Sequence, residues 1–301
     1  MLKGFALTPP TIGRISIGQI IEKNGKRLPK KDDQFTITSQ IQTSEGWIKH
    51  PLDKALRSQS ANGKLREIPI QVLFNQPDLN LRAEYCLFDR QTARPICTGN
   101  GETCLRHTPN GFESLSCPSP EHCEFASAGC KPYGRLNVVI TPEPNHDKDP
   151  IGSFVFRTSG FNSIRTLASR LSYFQALSGN RLACLPLALK IRGKSTRQSY
   201  GQPIYYVDLT LRDGTDLEST LEQAINLEQK RLEMGFDQSA LDEAAKRGFG
   251  NGYFEDDEDT IESVIEEFYP EAGINAQSVS TSSANSLTDR MDQQIQQLNR
   301  H

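Results

Sequence analysis

Six of the seven cysteines in this chain fall between residues 86 and 130: Cys86, Cys97, Cys104, Cys117, Cys123 and Cys130. Clustered thiols serve three kinds of chemistry. A disulfide framework needs an oxidising compartment. The opening stretch from Met1 to Pro10 is interrupted too soon by Pro9 and Pro10 to form the apolar core of an export signal. The chain is therefore expected in the cytoplasm, with its thiols reduced. Independent core cysteines would instead be spread through strands, as expected for Cys86 and Cys184. The third chemistry is zinc. A loop-rich stretch punctuated by Thr98-Gly99-Asn100-Gly101 and Ala128-Gly129 buries too little apolar surface to order itself, and thiolates on one Zn2+ supply the missing free energy.

The spacing is Cys97-x6-Cys104-x12-Cys117-x5-Cys123-x6-Cys130, with no C-x2-C knuckle. Spacing alone leaves open which four of these bind, and His107 and His122 are further candidates, each expected to face solvent. A closed set of four thiolates is structural, whereas a catalytic zinc keeps an open position beside an acid or base. The sequence holds no H-E-x-x-H, G-x-S-x-G or P-loop. The run His146-Asp147-Lys148-Asp149 imitates a metal site, but beside Pro142, Pro144 and Pro150 it reads as a solvated loop. No catalytic residue is assigned, and the chain is expected not to be an enzyme. A hydrolase is the least favoured class.

The elements that must position these thiols read as an α+β domain: mainly antiparallel β, with one central helix and a zinc-stabilised Cys-rich insert, followed by acidic C-terminal helices. Residues 1–65 read as irregular, with an extended piece at Thr36–Ile41. Strands are expected at Glu67–Phe74, Ala83–Asp89, Gly134–Thr141, Gly152–Thr158, Leu185–Arg192 and Ile204–Arg212. Pro69 assigns the first of these to an edge or a strand start. Ile164, Leu167, Ala168, Leu171 and Phe174 form one helical stripe, with Asn162 or Ser163 to cap it. Leu217, Leu221, Ala224, Ile225 and Leu232 predict a second helix, and Ile261, Val264, Ile265 and Phe268 a third. Three regions follow: a core over residues 1–212 with its insert at about 86–135, an acidic helical region over 213–273, and a Ser/Asn/Thr-rich tail over 274–301 expected to be disordered. No apolar run approaches the ~18 residues that a membrane span needs, so no membrane partner is expected.

Charge is uneven. Residues 1–75 hold twelve Lys/Arg against six Asp/Glu, and residues 213–273 hold eighteen acids against four bases. A basic front could meet nucleic acid, and an acidic rear a basic partner, although solvated surface explains both equally well.

The order of short segments is the remaining signal. Gly13-Arg14-Ile15 is followed by Asp33-Gln34-Phe35-Thr36-Ile37-Thr38 and Arg66-Glu67-Ile68-Pro69-Ile70. Next come Cys97-Thr98-Gly99-Asn100-Gly101-Glu102, Cys130-Lys131-Pro132-Tyr133-Gly134-Arg135-Leu136, and Phe156-Arg157-Thr158-Ser159 leading into Asn162-Ser163-Ile164. This order resembles the phage recombination directionality factor-like family across roughly residues 10–212. Its members occur in phages and integrative elements and often carry the label of hydrolase or metal-binding protein. The resemblance implies Cys97, Cys117, Cys123 and Cys130 as the metal set and leaves out Cys104, where the family usually has a small residue. It implies a zinc-containing, non-enzymatic accessory protein of DNA recombination that binds a recombinase such as a serine integrase. The alternative is a single-stranded DNA-binding protein that stacks bases and tracks phosphates. Its candidate residues are Tyr85, Phe88, Arg90, Arg94, Tyr133, Arg135, Tyr205 and Tyr206.

Overall fold

The computed structural model describes residues 10–248, apart from 24–25, 44–45, 61, 90–91, 93, 142–151, 196, 198–200 and 202, and gives only the backbone of 19–31. The expected helix over Ile261–Phe268, the tail over 274–301, Arg90 and the His146–Asp149 run lie outside the described residues.

The described residues from 11 to 59 are far more regular than their composition suggests. They form β1 (Thr11–Lys23), β2 (Lys26–Thr43), β3 (Gly46–Lys49) and α1 (Pro51–Gln59). β1 and β2 pair in antiparallel fashion from Gly13↔Ser39 to Lys23↔Lys26, with a bulge between Ile17 and Gln19. Pro51 sits in the first turn of α1, and the Nδ1 atom of His50 accepts a hydrogen bond from Leu52 N–H. Inside α1, buried Asp53 accepts from the Ile37 N–H of β2 at 3.0 Å and from Arg57 Nε at 2.7 Å. That carboxylate holds the helix to the strand.

β4 (Glu67–Gln71), α2 (Pro77–Asn80), β5 (Leu81–Phe88), β6 (Pro95–Gly99), β7 (Thr103–Thr108) and β8 (Gly111–Ser116) follow. β9 (Lys131–Ile140), β10 (Ser153–Thr158), α3 (Phe161–Leu177), β11 (Leu187–Ser195) and β12 (Pro203–Leu211) complete the sheets. The long sheet runs β3-β2-β1-β10-β9-β5-β6-β7-β8. Among the described strands, only the β1–β10 pair in it is parallel. A second branch leaves β9 through β4 to β11 and β12. The chain is thus α+β with a large, mostly antiparallel sheet and a few helices.

β4 is not the edge strand that Pro69 suggested, since it bridges β11 and β9. Pro69 accepts a bond from Thr141 N–H, one residue past the end of β9. Its missing N–H therefore falls beyond the ladder and costs only one bond there. Asp33 on β2 binds Lys64 at 2.9 Å and also Arg66, and Phe35 N–H donates to Leu65 O at 2.6 Å. Two of the short sequence segments are thereby joined into one structural unit.

One core cluster lies on one side of the long sheet, while Cys86, Phe88, Tyr133 and Val155 are buried on the other. Ile15, Phe35, Ile37, Leu136, Phe154 and Phe156 meet Leu167, Leu171 and Phe174 of α3, together with Ile68, Leu187, Leu189, Val207 and Leu209 of the second branch. Ile164, Leu167, Leu171 and Phe174 are buried, whereas Ala168 faces out. A Cβ at Gly134 would stand 3.0 Å from Ile164 Cγ1, so the glycine sets how closely α3 approaches β9. Neither expected cap residue acts as a cap, because Gly160 occupies that position. Ser163 Oγ instead accepts from Val207 N–H, and Asn162 Oδ1 from Lys194 Nζ. The predicted second helix is α4 (Leu217–Glu233), capped by Asp216 and joined to the core by Ala224. α5 (Gln238–Gly248) follows, and its buried Asp242 accepts from the Asn75 N–H beyond β4. No described helix is long and apolar enough to cross a membrane.

Candidate metal centre

The insert is an extension of the long sheet. β5, β6, β7 and β8 form an antiparallel meander in which Tyr85 faces Gly99, Leu87 faces Cys97, Cys97 faces Arg106, and Gly99 faces Cys104. Residues opposed across strands share a sheet face, and alternate residues change face. Leu87, Cys97, Cys104, Arg106 and Leu115 therefore occupy one face. Cys86, Thr98, Leu105, His107 and Phe112 occupy the other. This parity separates Cys86 from the remaining cysteines and makes it the core residue its strand composition suggested; Cys184 is buried near α4.

On the first face, buried Cys97, Cys104 and Cys117 form a small cluster with Leu87, and Cys130 packs against it. Cys117 follows β8 and is held by its N–H to Glu102 O at 2.8 Å. The chain then crosses back through a 3-10 turn, Glu124–Ala128, with Cys123 at its start. Gly129 ends that turn at φ 113°, a left-handed conformation that suits glycine, and Cys130 follows. Arg106 sits over the ring of Phe125 at 4.0 Å, which ties this crossing segment to β7. A Cβ on Gly99 would lie 2.7 Å from Cys104 Cβ and 2.8 Å from Cys117 Sγ. Only a residue without a side chain leaves room for both cysteines there.

Electrostatics show the same gathering. Burial pushes the Cys130 thiol up to about 11, and the charges of Cys97, Cys123 and Cys117 add to the rise. Burial likewise raises Cys104 to about 11, followed by its hydrogen bond and charge interaction with Cys97. Arg106 is held more firmly charged, chiefly by its hydrogen bond with Cys97. These thiols resist ionisation because each anion would be desolvated beside others, which is the penalty a divalent cation removes. No disulfide is present among them.

Cys97, Cys117, Cys123 and Cys130, the set implied by the family resemblance, thus lie around one another, and Cys104 lies with them, beside Cys97 and over Gly99. The side chains do not converge on one point: among the described residues no group of three or more His, Cys, Asp or Glu is arranged to hold a metal ion. As chemistry the donors fit zinc, being soft thiols free of disulfides, with Cys97 and Cys117 buried and Cys123 and Cys130 half-buried. His107 is exposed on the opposite face against Phe112, and His122 is exposed beside Cys123.

The aromatic residues proposed for base stacking are scattered. Phe88 and Tyr133 are buried against each other with ring centroids 5.6 Å apart. Tyr85 packs on the cysteine cluster, and Tyr205 and Tyr206 lie on β12 in the other branch. Sequence reasoning missed the strands of the insert and, with them, its exposed tip. β8 ends the sheet, and Phe112, Leu115 and Phe125 are 53%, 37% and 44% exposed there.

A long antiparallel sheet with a cysteine-lined extension is the architecture onto which the comparisons fall. The chain matches the Gp3-like, recombination directionality factor-like family over residues 12–212, and it belongs to that family. The match runs from β1 to just past β12, so it takes in both branches, α3 and the insert, and stops before α4. No curated protein and no solved structure matches the chain.

Proposed function

We propose that this chain is a non-catalytic accessory protein of a phage or integrative element that acts in DNA recombination by binding a recombinase through its cysteine-rich insert. The family match supports the process. The observation that carries the partner surface is the tip of the insert: among the described strands β8 leaves one backbone edge unpaired in the sheet order, flanked by exposed Phe112, Leu115 and Phe125. Open strand edges with apolar flanks are hazards that natural proteins suppress unless another chain covers them. Pairing of a partner strand there supplies backbone hydrogen bonds, and the flanking side chains supply specificity. Such a contact acts without chemistry. It favours whichever recombinase conformation it binds more tightly and shifts the equilibrium by that difference in affinity.

Cys97, Cys117, Cys123 and Cys130 would hold a structural Zn2+ beneath this tip. Bound there, the ion takes the place of four thiol protons and supplies folding free energy to a segment with little apolar core. These side chains do not converge as they stand, so they would have to turn to share one ion, with Gly99 and the Gly129 turn giving the backbone room around it. Cys104 packs under the site as a fifth thiol, and Arg106 offsets part of the thiolate charge from its position across β6.

Co-purification of the full chain with a serine integrase from the element that carries it tests this function. Phe112→Asp/Leu115→Asp is expected to abolish capture while leaving far-UV circular dichroism unchanged. Capture undiminished by that variant, or equal capture by a metal-free Cys117→Ser chain, would overturn the assignment.

A further inference from the structure

Between Thr158 and Arg212 the chain holds eight Lys/Arg and one acid, Asp208. The fold gathers several of those cations along the seam between α3 and the second branch. Lys190, Arg192 and Lys194 alternate along β11 with the core residues Leu189 and Ile191, and the register places Asp208 and Tyr206 of β12 on the same outward face. α3 lies alongside β12, where Ser163 Oγ accepts from Val207 N–H. Arg170 of α3 donates from Nε to Asp208 Oδ1 at 3.2 Å, and Arg192 donates from its own Nε to Oδ2 at 3.3 Å. The carboxylate is buried, whereas the two arginine side chains are 49% and 47% exposed. Among the described residues their terminal nitrogens make no hydrogen bond. Lys194 Nζ joins them, bonded to Asn162 Oδ1 at 2.7 Å and 5.8 Å from the Tyr206 ring. Arg165, one turn past Asn162, and Arg197, just past β11, are both exposed at that end, with no acid paired to either among the described residues. Lys190 takes no part, because Glu67 and Asp213 hold it.

We propose that this seam binds the phosphate backbone of duplex DNA, with Arg170, Arg192 and Lys194 as the central contacts and Arg165 and Arg197 flanking them. One arginine, together with the Leu209 N–H that Asp208 Oδ1 already accepts, would satisfy the buried carboxylate. The second leaves the group with surplus positive charge, and an ion pair this exposed adds little stability. What the arrangement does provide is orientation. Each guanidinium is anchored at Nε, which leaves its two terminal nitrogens to fork onto a phosphate. Donors held in place lose less freedom on binding than loose side chains do. Arg192 and Lys194 are two residues apart on one strand, so about 7 Å separates them. Duplex DNA carries one negative charge per about 1.7 Å of axis. A ligand of that charge density meets the whole row at once, whereas an isolated anion meets one or two of its members. The family's process, DNA recombination, supplies such a ligand. The contact is to the backbone and therefore independent of sequence. It needs no stacked bases, in keeping with the scattered aromatic residues. The seam belongs to the second branch and not to the insert, and the inference does not depend on the recombinase-binding function.

Fluorescence anisotropy of the full chain with two labelled duplexes of unrelated sequence, across a salt series, tests the proposal. Equal binding of the two at low salt is expected, with log K falling linearly against log salt. Arg192→Gln/Lys194→Gln leaves Arg170 on Asp208, and it should lower the slope by about 2 and the low-salt affinity at least about tenfold. Arg165→Gln/Arg197→Gln breaks no hydrogen bond among the described residues and should weaken binding in the same way. It keeps the test decisive if thermal melting shows the first variant to be poorly folded. Arg181→Gln, which removes a cation already held by Glu228, should leave the slope unchanged. Absence of binding at low salt, or a slope unchanged in both double variants when folded, would overturn the proposal. So would a preference of more than about tenfold between the two duplexes, which backbone contacts alone do not give. Loss of recombinase capture in the Arg192/Lys194 variant without any DNA binding would also overturn it, marking the seam as an acidic-protein interface.

Discussion

Replacing Gly99 with alanine probes the cysteine centre without removing any thiol. The new methyl carbon would lie 2.7 Å from Cys104 Cβ and 2.8 Å from Cys117 Sγ, whereas carbon contacts settle at about 3.5–4.0 Å. Cys104 Cβ is fixed to the backbone, whereas Cys117 Sγ can turn about its Cα–Cβ bond. Cys104 is fixed in β7 by pairing with Gly99 and Leu115, and Cys117 by its bond to Glu102. The overlap of roughly 1 Å with Cys104 Cβ therefore cannot be relieved by a rotamer change, and β7 must part from β6. Overpacking of this kind costs about 1–3 kcal/mol. At about 2 kcal/mol the local opening equilibrium rises about thirty-fold, because about 1.4 kcal/mol is a factor of ten. The insert is the part of the sheet with the smallest core, so opening there is expected to precede global unfolding. The assay is the rate of thiol labelling by an aromatic disulfide reagent under native conditions, followed residue by residue by mass spectrometry. Cys104 and Cys117 should label about thirty-fold faster in Gly99→Ala, with Cys184 unchanged. Equal rates in both proteins would show that the cysteines do not pack over Gly99 and would remove the structural basis of the centre.

Asp53→Ala should destabilise the fold by about 3 kcal/mol in denaturant unfolding, because it leaves the Ile37 N–H without its acceptor and breaks the buried ion pair with Arg57, which keeps only its bonds to Gln34, Phe35 and Gly63. Leu167→Ala, at a fully buried position where α3 meets the sheet, should cost about 2–5 kcal/mol by the same measurement. The hydrogen bonds from Lys64 and Arg66 hold the Asp33 carboxyl at about 2, below its usual 3.8. The folded-state value is depressed, so its stabilisation is present above about pH 4 and is lost as pH falls toward 2. Asp33→Asn should flatten that acid limb in a pH series of melting temperatures, and an unchanged limb would refute the assignment.

Much of the second half of the fold was legible because its strands and helices obey simple periodicities. β11, β12, α3 and α4 fall within two or three residues of the expected positions. The first sixty residues were not legible. β1 and β2 are long, bulged strands that carry charged runs such as Glu22-Lys23 and Lys30-Lys31-Asp32-Asp33, so neither alternation nor apolar density marks them. α1 announces itself only through Pro51 and the Asp53–Arg57 pair. At the centre, composition pointed to thiols clustered around glycine turns. Which thiols cluster depends on strand parity: Cys86 and Cys97 lie on opposite faces, a fact that follows from the Leu87↔Cys97 register and not from spacing.

The most direct test of the central claim is the metal content of the full chain purified without chelators, measured by elemental mass spectrometry alongside its Cys117→Ser variant. One equivalent of zinc per chain, lost in the variant, is the result expected if Cys97, Cys117, Cys123 and Cys130 hold the insert together. Less than about half an equivalent in the parent chain, or a full equivalent retained by the variant, would contradict it.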